Sequence, residues 1–303
     1  MVGIVVLIYK SFEQVLTYVR NELPKIGVPH RTLIVDTGSE RAHAERIAAE
    51  LGVSVVSRDD TVVDGNMFVL HAEENLGYAR GNNLGAEFLT RNFPDTDKLL
   101  FSNDDIEFIS ADVVDVLSRR LDEIPEIGCI GPKVIDLNGG LQGPGYEQPK
   151  IGYYIRRNIG EPLFGAKRFW QDQKVERKSE FVNIVGGCFH MVRTADFQAV
   201  GGFEPKTFLY WEEELMSERL RKIGRRAYYD ASVSIRHFVG NTTSKKAPNL
   251  LLLECELFGQ RLYFSEYAKS SAVMIGLLRV SQWIRLTLVK LAILKRKLRG
   301  ANK

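Results

Sequence analysis

Amide and carboxylate side chains follow directly after an apolar run in the first half of the chain. Residues 99–101 are Leu-Leu-Phe, and Asn103, Asp104 and Asp105 come just behind them. Carboxylates at the carboxyl end of a strand repel each other and lie where open α/β sheets bind ligands, so a divalent cation bridging to phosphate would account for them. The same residue types also form Asx turns and helix caps. This segment alone leaves a metal site and a turn as equal alternatives.

Asp36 ends a second apolar run and is followed by Thr-Gly-Ser. At the carboxyl edge of a sheet its carboxylate could accept hydrogen bonds from a nucleoside base or ribose. Capping of the helix that begins near Glu40 is the alternative.

Glycines recur every four residues at 77, 81 and 85, among the asparagines of residues 75–83. Each glycine inside a helix costs about 1 kcal/mol relative to alanine, so the pattern needs a compensating use. Close approach of the backbone to a nucleotide, with Arg80 reaching a phosphate, would be one. The spacing matches neither a P-loop nor a GxGxxG fingerprint, which argues against an ordinary ATPase or dehydrogenase.

Three consecutive acids, Glu212, Glu213 and Glu214, follow Tyr210 and Trp211 at a predicted helix start. The helix dipole favours carboxylates there. However, aromatic faces also stack on sugar rings, and a nearby carboxylate can take a proton from a hydroxyl nucleophile.

Two more positions are candidates. His237 follows a strand-like segment and could complete a metal site with Asp105, although a lone histidine is more often a packed residue. Gly186 and Gly187 interrupt residues 181–192, which indicates a sharp bend or a strand close to a ligand.

These residues need an α/β framework to position them. Short runs rich in Val, Ile and Leu predict buried parallel strands at residues 3–8, 32–36, 53–57 and 99–103. Amphipathic spacing predicts helices over residues 12–23, 40–51, 112–121 and 212–223, the last stopped by Gly224. Residues 139–152 predict a long loop. Alternating strands and helices indicate right-handed βαβ units, with a catalytic domain over residues 1–245 and a helical extension over residues 246–303.

The composition and charge of the chain limit the kinds of molecule that it could bind. Eight basic and no acidic residues lie from Arg279 onward, so the net charge of +3 divides into a basic tail and a body of charge −5. An acidic body argues against nucleic-acid binding. Cys129, Cys188 and Cys255 are widely spaced, which argues against a disulfide framework or a zinc site. The amino terminus shows no secretory signal, and the cytoplasm is expected.

A helix over residues 272–299 would place Val280, Trp283, Ile284, Leu291, Leu294 and Leu298 on one face, bordered by basic residues. Its charges are too frequent for a spanning helix, so we predict an interfacial helix on an anionic membrane surface. Packing on the catalytic domain or in a homodimer is the alternative.

The order and spacing of these motifs resemble the family 2 glycosyltransferases, and more narrowly the rhamnosyltransferase-like branch that builds bacterial surface polysaccharides. The resemblance covers about residues 3–245. Its segments are residues 5–11, 35–39, 75–83, 103–105, 200–204 and 208–213, together with His237.

The resemblance implies a GT-A fold, in which a Rossmann-like, mostly parallel twisted sheet is flanked by helices. It also implies a UDP- or dTDP-sugar donor, a divalent cation (Mg²⁺ or Mn²⁺) and inversion at the anomeric carbon. The acceptor would be a hydroxyl of a saccharide or lipid-linked saccharide. The enzyme would work in the cytoplasm, peripherally at the inner face of the cell membrane.

Residue roles follow from the same resemblance. Asp36 would hold the nucleoside, Asp105 would be the metal carboxylate of an Asn-x-Asp variant of the DxD motif, and His237 would be the distal ligand. Glu213 would be the base, paired with Glu212. The nucleotide-binding residues would be Tyr9, Asp36, Asn75, Gly77, Arg80, Asn103 and Asp104, and those near the acceptor and sugar would be Gly187, Tyr210 and Trp211.

Two departures from the family pattern matter. The family base is usually aspartate, so Glu212 or Glu214 could serve in place of Glu213. Asn103 removes one negative charge, so cation binding should depend on the diphosphate.

A sugar-nucleotide nucleotidyltransferase and a catalytically inactive sugar-nucleotide-binding protein are the alternative functions. A nucleotidyltransferase would be expected to carry a glycine-rich basic loop after the first strand, where this chain has Tyr9-Lys10-Ser11-Phe12. Donor specificity is expected to depend on residues 139–160, Trp170 and Trp211.

Overall fold

The computed structural model describes residues 1–61, 64–145, 147–165, 178–238 and 249–300. They divide into two compact units. The first contains the described residues of 1–147, 174–208 and 212–243, and the second those of 148–173, 209–211 and 244–303. The second unit therefore includes residues 148–165, which the sequence had assigned to the catalytic domain. Trp170 lies outside the described residues.

Among the described residues, ten strands form one sheet in the first unit. They are β1 (Val2–Ile8), β2 (His30–Thr37), β3 (Ser54–Val56), β4 (Met67–Ala72), β5 (Lys98–Ser102), β6 (Ile106–Phe108), β7 (Ile127–Ile135), β8 (Glu180–Val182), β9 (Phe189–Arg193) and β10 (Arg226–His237). Their order in the sheet is β3-β4-β2-β1-β5-β9-β7-β10-β6, with β8 paired to β10. The strands from β3 to β5 in this order pair in parallel, and β9, β6 and β8 pair antiparallel to their neighbours.

Two apolar cores lie against the sheet. Side chains of α1 (Glu13–Asn21), α2 (Arg41–Leu51) and α4 (Val113–Glu123) pack in one, and those of α3 (Gly77–Asn92), α6 (Thr194–Ala199) and α7 (Glu212–Lys222) in the other. Consecutive residues of β1 point to opposite faces of the sheet, so Ile4 and Val5 are fully buried in opposite cores. Burial of both sheet faces explains why the central strand β1 is wholly apolar.

Helix α3 explains the glycine repeat by packing. A Cβ at Gly81 would lie 2.5 Å from Leu7 Cδ1, and a Cβ at Gly85 would lie 2.5 Å from Val5 Cγ1. These glycines let the helix backbone approach β1, and this close packing offsets their cost in a helix. The expectation that the whole repeat serves a nucleotide is corrected accordingly.

The second unit is helical. Its elements are α5 (Ile151–Phe164), α8 (Leu250–Leu262), a π-helical turn (Tyr263–Tyr267) and α9 (Ala272–Gly300). The sequence predicted α9 closely, but α5 begins within the segment predicted as a loop. Within α9, Ala272–Lys295 is long and apolar enough to cross a membrane by length and composition, which corrects the inference that its charges exclude spanning.

Candidate active site

The carboxyl ends of three parallel strands place the candidate nucleotide residues at one edge of the sheet. Ile8 on β1 pairs with Asp36 on β2, and Val6 pairs with Ser102 on β5. The residues that follow, including Tyr9 and Asn103, therefore emerge side by side. This is the edge at which open α/β sheets bind ligands.

Asp105 and His237 form the centre of this edge. Strand β10 runs antiparallel to β6, so His237 pairs with Ile106, next to Asp105. The Phe238 N–H donates to the Asp105 carbonyl over 2.9 Å. In consequence, His237 Nε2 lies 3.2 Å from Asp105 Oδ1, while Gln142 Oε1 lies 2.8 Å from the other ring nitrogen.

The ring of His237 is strongly basic. Burial lowers its pKa, but the Asp105 carboxylate and the Cys188 side chain outweigh burial and raise the pKa to about 10. At neutral pH the imidazolium and the carboxylate therefore form an ion pair. A cation that binds the ring nitrogen must first displace this proton.

The donor set of Asp105 and His237 fits a divalent cation. Asp105 Oδ1 is buried and faces the His237 ring at 3.2 Å. Carboxylate oxygen and imidazole nitrogen are ligands that Mn²⁺ accepts, and Mg²⁺ favours the oxygen. No group of three or more His, Cys, Asp or Glu that could hold a metal occurs among the described residues. Diphosphate and water oxygens would have to complete the coordination.

Asp104 is held by the segment that follows β1. Its carboxylate accepts hydrogen bonds from the Ser11 hydroxyl and, over 3.1 Å, from Gln14 Nε2. Burial, opposed by the Ser11 hydrogen bond, raises its pKa to about 6. Both carboxylate oxygens of Asp104 therefore already have partners within the protein, and they tie β5 to the segment after β1. The predicted contact of Asp104 with a nucleotide stays a prediction.

Asp36 is fully buried at the end of β2. His43 Nδ1 lies 2.8 Å from its Oδ2, whereas Oδ1 accepts no hydrogen bond from the described residues. That oxygen could accept from a nucleoside base, but only after neighbouring side chains move. Asn75 approaches the same edge, since a Cβ at Gly38 would lie 2.7 Å from the Asn75 Cβ.

Gly77 and Arg80 have local roles in the structure. Gly77 has φ +67°, and a Cβ there would collide with the Phe208 carbonyl oxygen. Close packing against the protein backbone thus accounts for this glycine. The Arg80 side chain is exposed, donates to the Leu76 carbonyl and lines a cavity of about 520 Å³ with Arg58 and His71.

Glu213 lies over Gly187. A Cβ at Gly187 would stand only 2.0 Å from Glu213 Oε1, so any larger residue there would have to displace this carboxylate. The Gly187 backbone also hydrogen-bonds Glu213, and its carbonyl accepts from Tyr78 Oη over 2.5 Å. Gly187 therefore makes room for the side chain of the predicted base and hydrogen-bonds to it.

Burial raises the pKa of two carboxyl groups in the acidic cluster. It raises the pKa of Glu213, although the Gly187 backbone opposes the shift. Burial and then the charge of Glu213 raise the pKa of Glu214 to about 8. Glu212 is 2% exposed. A carboxylate with a raised pKa is a stronger proton acceptor, as a general base near neutral pH requires.

The dipeptide Gly187–Cys188 joins the two halves of the site. Strand β9 pairs antiparallel with β5, with Phe189 opposite Ser102, so Cys188 lies beside Asn103. The Asn103 N–H donates to the Cys188 carbonyl over 2.8 Å, and the Cys188 side chain interacts with His237. One residue earlier, Gly187 contacts Glu213. A short, directly bonded path thus connects the predicted base with the predicted metal ligands.

The structure corrects the expected role of Trp211. Its indole is 5% exposed and packs against Tyr154, Tyr263 and Phe264 within the second unit, at ring-centroid distances of 5.1–6.0 Å. A ring occupied in this way is not available to stack on a sugar. Tyr210 is 40% exposed, and both residues have positive φ, at +74° and +75°. Such consecutive left-handed residues are strained, as is common beside functional sites.

Several contributing residues were not assigned a role from the sequence: Ser11, Gln14, His43, Tyr78, Gln142 and Cys188. Tyr78 lies in the motif of residues 75–83, yet its partner is more than a hundred residues away. Nothing local identifies such pairs.

The chain is similar to known proteins in sequence and in fold. The chain is 25% identical over 241 residues to the N-acetylglucosaminyl-diphospho-decaprenol L-rhamnosyltransferase of Mycobacterium tuberculosis, covering 70% of this chain and 77% of that protein. No protein-family model matches the chain.

Solved structures share the fold. GalNAc-T7 with UDP, GalNAc and Mn²⁺ superposes with TM-score 0.59 at 14% identity over 88% of this chain, which spans about half of that chain (49%). The mannosyltransferase PcManGT from Pyrobaculum calidifontis, in complex with GDP-Man and Mn²⁺, gives 0.54 at 12% identity over 98% of this chain and 75% of its own. S. aureus TarS residues 1–349 give 0.53 at 12% identity over 94% and 71%.

These likenesses define the class. The chain has the GT-A fold of glycosyltransferases, as the sequence predicted. The predicted resemblance to rhamnosyltransferases is likewise confirmed by the mycobacterial relative, and a nucleotide-sugar glycosyltransferase fits better than a nucleotidyltransferase.

Proposed function

We propose that this chain is an inverting glycosyltransferase of hexosyl or rhamnosyl type. It would move a sugar from a UDP- or dTDP-sugar to a hydroxyl of a saccharide, in the synthesis of a cell-surface polysaccharide. The observation that carries the proposal is the path through Gly187–Cys188, which links the Glu213 carboxylate to Asp105 and His237.

The reaction would be a direct displacement. Glu213 accepts the proton of the acceptor hydroxyl while that oxygen attacks the anomeric carbon. The bond from this carbon to the diphosphate oxygen breaks on the opposite face, so the configuration inverts. Gly187 and Tyr78 hold the base in place, because the carboxylate rests on Gly187 and Tyr78 donates to the Gly187 carbonyl.

Asp105 and His237 would hold Mg²⁺ or Mn²⁺, and when bound the cation neutralises charge on the departing diphosphate. Asn103, Asp104, Asp36, Asn75 and Tyr9 would line the donor side of the edge. Tyr210, exposed next to the acidic cluster in sequence, would contribute to the acceptor side.

The acceptor is proposed to be lipid-linked, because the curated relative acts on N-acetylglucosaminyl-diphospho-decaprenol by its name. Such an acceptor would place the enzyme in the cytoplasm, at the inner face of the cell membrane.

Donor consumption tests the proposal. The purified chain is screened by thermal shift against UDP-, dTDP- and GDP-sugars with and without Mn²⁺, and then assayed with a short-chain polyprenyl-diphosphate N-acetylglucosamine. We expect one nucleotide sugar to raise Tm with metal and to be consumed only with acceptor, giving an inverted linkage by NMR. Binding without consumption would instead support the inactive binding protein.

A further inference from the structure

Part of the interior of the second unit is polar. Asn158 on α5 is fully buried and donates to Gln260 on α8 over 3.0 Å and to Ser281 on α9 over 3.2 Å. Gln282 Nε2 donates to the same Gln260 side-chain oxygen over 3.1 Å. Hydrogen bonds between side chains therefore join all three helices.

Charged groups continue this interior. Arg285 on α9 is 6% exposed, and its guanidinium lies 2.9 Å from Glu161 of α5 and 3.3 Å from Glu256 of α8. Arg157 of α5 pairs with the same two carboxylates, at 2.9 and 3.1 Å. Two arginines and two glutamates balance in charge, so these four groups together are neutral.

The outer surface of these helices exposes many large apolar side chains. On α9 six exposed side chains recur at helical spacing within an arc of about 100°. We call them the α9 stripe; they are Val273, Leu277, Val280, Leu291, Leu294 and Leu298, each at least 50% exposed. Trp283 is 66% exposed beside the stripe, and the other helices expose Leu163, Phe164, Leu251 and Phe258.

This arrangement departs from the usual order of a helical unit in water, although Leu257, Leu262 and Leu278 are buried as well. Helices in water bury their apolar stripe and expose polar side chains. Here the polar residues Gln282 and Arg285 are buried on the side of α9 opposite the α9 stripe, together with Leu278. Helices that pack through polar side chains and show leucine and tryptophan outward are typical of a lipid environment.

We propose that this unit docks on an anionic lipid bilayer, with the α9 stripe inserted at the headgroup–acyl boundary and α9 parallel to the surface. Exposed Arg279 and Lys290 border one side of the stripe and Lys295 borders the other. Residues 272–303 contain no Asp or Glu. Basic flanks around an apolar face match anionic headgroups.

A position parallel to the surface fits better than a spanning one. Arg285 lies near the middle of α9, and its carboxylate partners belong to α5 and α8, which have only 14 and 13 residues. A helix needs about 20 residues to cross the hydrocarbon core. A spanning α9 would therefore pull α5, which is too short to cross, and its charged side chains into the bilayer.

A lipid surface also fits better than a second copy of the chain. Pairing two stripes across a two-fold axis would bring the basic borders together, with no acid on residues 272–303 to compensate. Like charges at close range disfavour such a pair.

Docking on a membrane rests on the proposed function in one respect: an enzyme with a lipid-linked acceptor must reach a membrane. Vesicle binding needs no sugar transfer, so the two proposals fail separately. The test is co-sedimentation of the full chain with vesicles of phosphatidylcholine alone, or with 30% phosphatidylglycerol (about a third anionic lipid).

Neighbouring residues provide a matched pair of variants. Leu291→Glu places a charge in the α9 stripe, and Ala292→Glu places the same charge on the next exposed residue, outside the stripe. We expect the chain to bind the anionic vesicles, more weakly in high salt. Leu291→Glu should lower the partition coefficient by at least about tenfold, and Ala292→Glu by less than about threefold.

Tryptophan fluorescence gives an independent readout. Trp283 should shift to shorter wavelength with anionic vesicles, and Trp283→Phe should abolish that shift.

Three results would overturn the proposal: equal binding by Leu291→Glu and Ala292→Glu, retention of the wild type in membranes after alkaline carbonate extraction, or a lipid-free dimer that Leu291→Glu dissociates. The second would indicate a spanning helix and the third a second copy of the chain. Donor consumption with a detergent-solubilised acceptor, measured on the same variants, separates loss of docking from loss of catalysis.

Discussion

The Tyr78 hydroxyl donates a 2.5 Å hydrogen bond to the carbonyl of Gly187, the residue on which the Glu213 carboxylate rests. Tyr78 belongs to helix α3, whereas Gly187 belongs to the turn before β9. Burial and the charges of Glu213 and Glu212 raise the pKa of Tyr78 well above its usual value, so its hydroxyl stays protonated and remains a donor. This contact makes Tyr78 a positioning residue for the proposed base.

Removal of that hydroxyl should impair turnover rather than donor binding. We expect Tyr78→Phe to lower kcat about fivefold, equivalent to the roughly 1 kcal/mol of one hydrogen bond, with donor KM unchanged. The pH profile should also shift as Glu213 loosens. Tyr228→Phe, which removes a hydroxyl from β10, is the control. A rise in donor KM without a change in kcat would contradict the assignment.

Neutralising the base should abolish transfer. Glu213→Gln keeps the shape of the side chain but cannot accept a proton, so kcat should fall by about 10²–10⁴-fold with donor binding intact by thermal shift. In the wild type, kcat should rise with pH, because burial raises the pKa of Glu213 and the base must be ionised. Glu218→Gln on the same helix is the control, and normal turnover by Glu213→Gln would end the assignment.

Two adjacent glycines should respond differently to alanine. A Cβ at Gly187 would collide with Glu213, whereas a Cβ at Gly186 would meet only Val134 and Cys188, at 3.7 and 3.8 Å. Gly187→Ala should therefore displace the base, lower kcat by more than about tenfold and cost about 1–3 kcal/mol of stability. Gly186→Ala should change both little. Urea denaturation and initial rates measure the difference, and equal effects would show that the contact is unimportant.

Cation binding should depend on the nucleotide. With Asp105 and His237 as its protein ligands, the site should bind Mn²⁺ weakly alone and more tightly with a nucleoside diphosphate. Asp105→Asn should reduce the affinity of the ternary complex at least about tenfold, as seen even for partners of metal ligands. Titration calorimetry with Mn²⁺ measures this, with His30→Ala as the control. Unchanged affinity in Asp105→Asn would place the cation elsewhere.

Stability should fall as pH rises because of Glu214. Burial and the charge of Glu213 raise its pKa to about 8, so between about pH 4.5 and 8 the folded state holds a proton that the unfolded state has lost. The free energy of unfolding should decrease over this window by at least about 1 kcal/mol. Glu214→Gln, which keeps a neutral side chain, should flatten the decrease. Urea midpoints at pH 5, 7 and 8.5 check this, and identical slopes would exclude Glu214.

Much of the fold was predictable because its signals are local. Strands β1, β2, β3 and β5 and helices α1, α2, α4, α7 and α9 lie where apolar runs and helical spacing indicated, since each strand buries both faces and each helix one stripe. The position of Asp36 and Asp105 at strand ends followed from the same pattern, because parallel strands end at one edge.

Other features depended on pairings between distant segments. Strand β9 inserts antiparallel between β5 and β7, and only this order brings Gly187 and Cys188 to Glu213 and His237. The glycine repeat of α3 resembled a ligand loop until its packing on β1 was known. Trp211 was likewise predicted to stack on a sugar ring, but its indole packs against other aromatic rings of the protein.

The sequence by itself determined the α/β alternation, the acidic strand ends and the apolar stripe of α9, because those properties belong to single elements. The tertiary structure alone decided which carboxylate rests on which glycine and which face of α9 is buried. Hydrogen bonds between residues a hundred positions apart, such as Tyr78 to Gly187 and Asn158 to Ser281, have no local signature. They depend on strand order and helix packing, which minimise the free energy of the whole chain rather than of any segment.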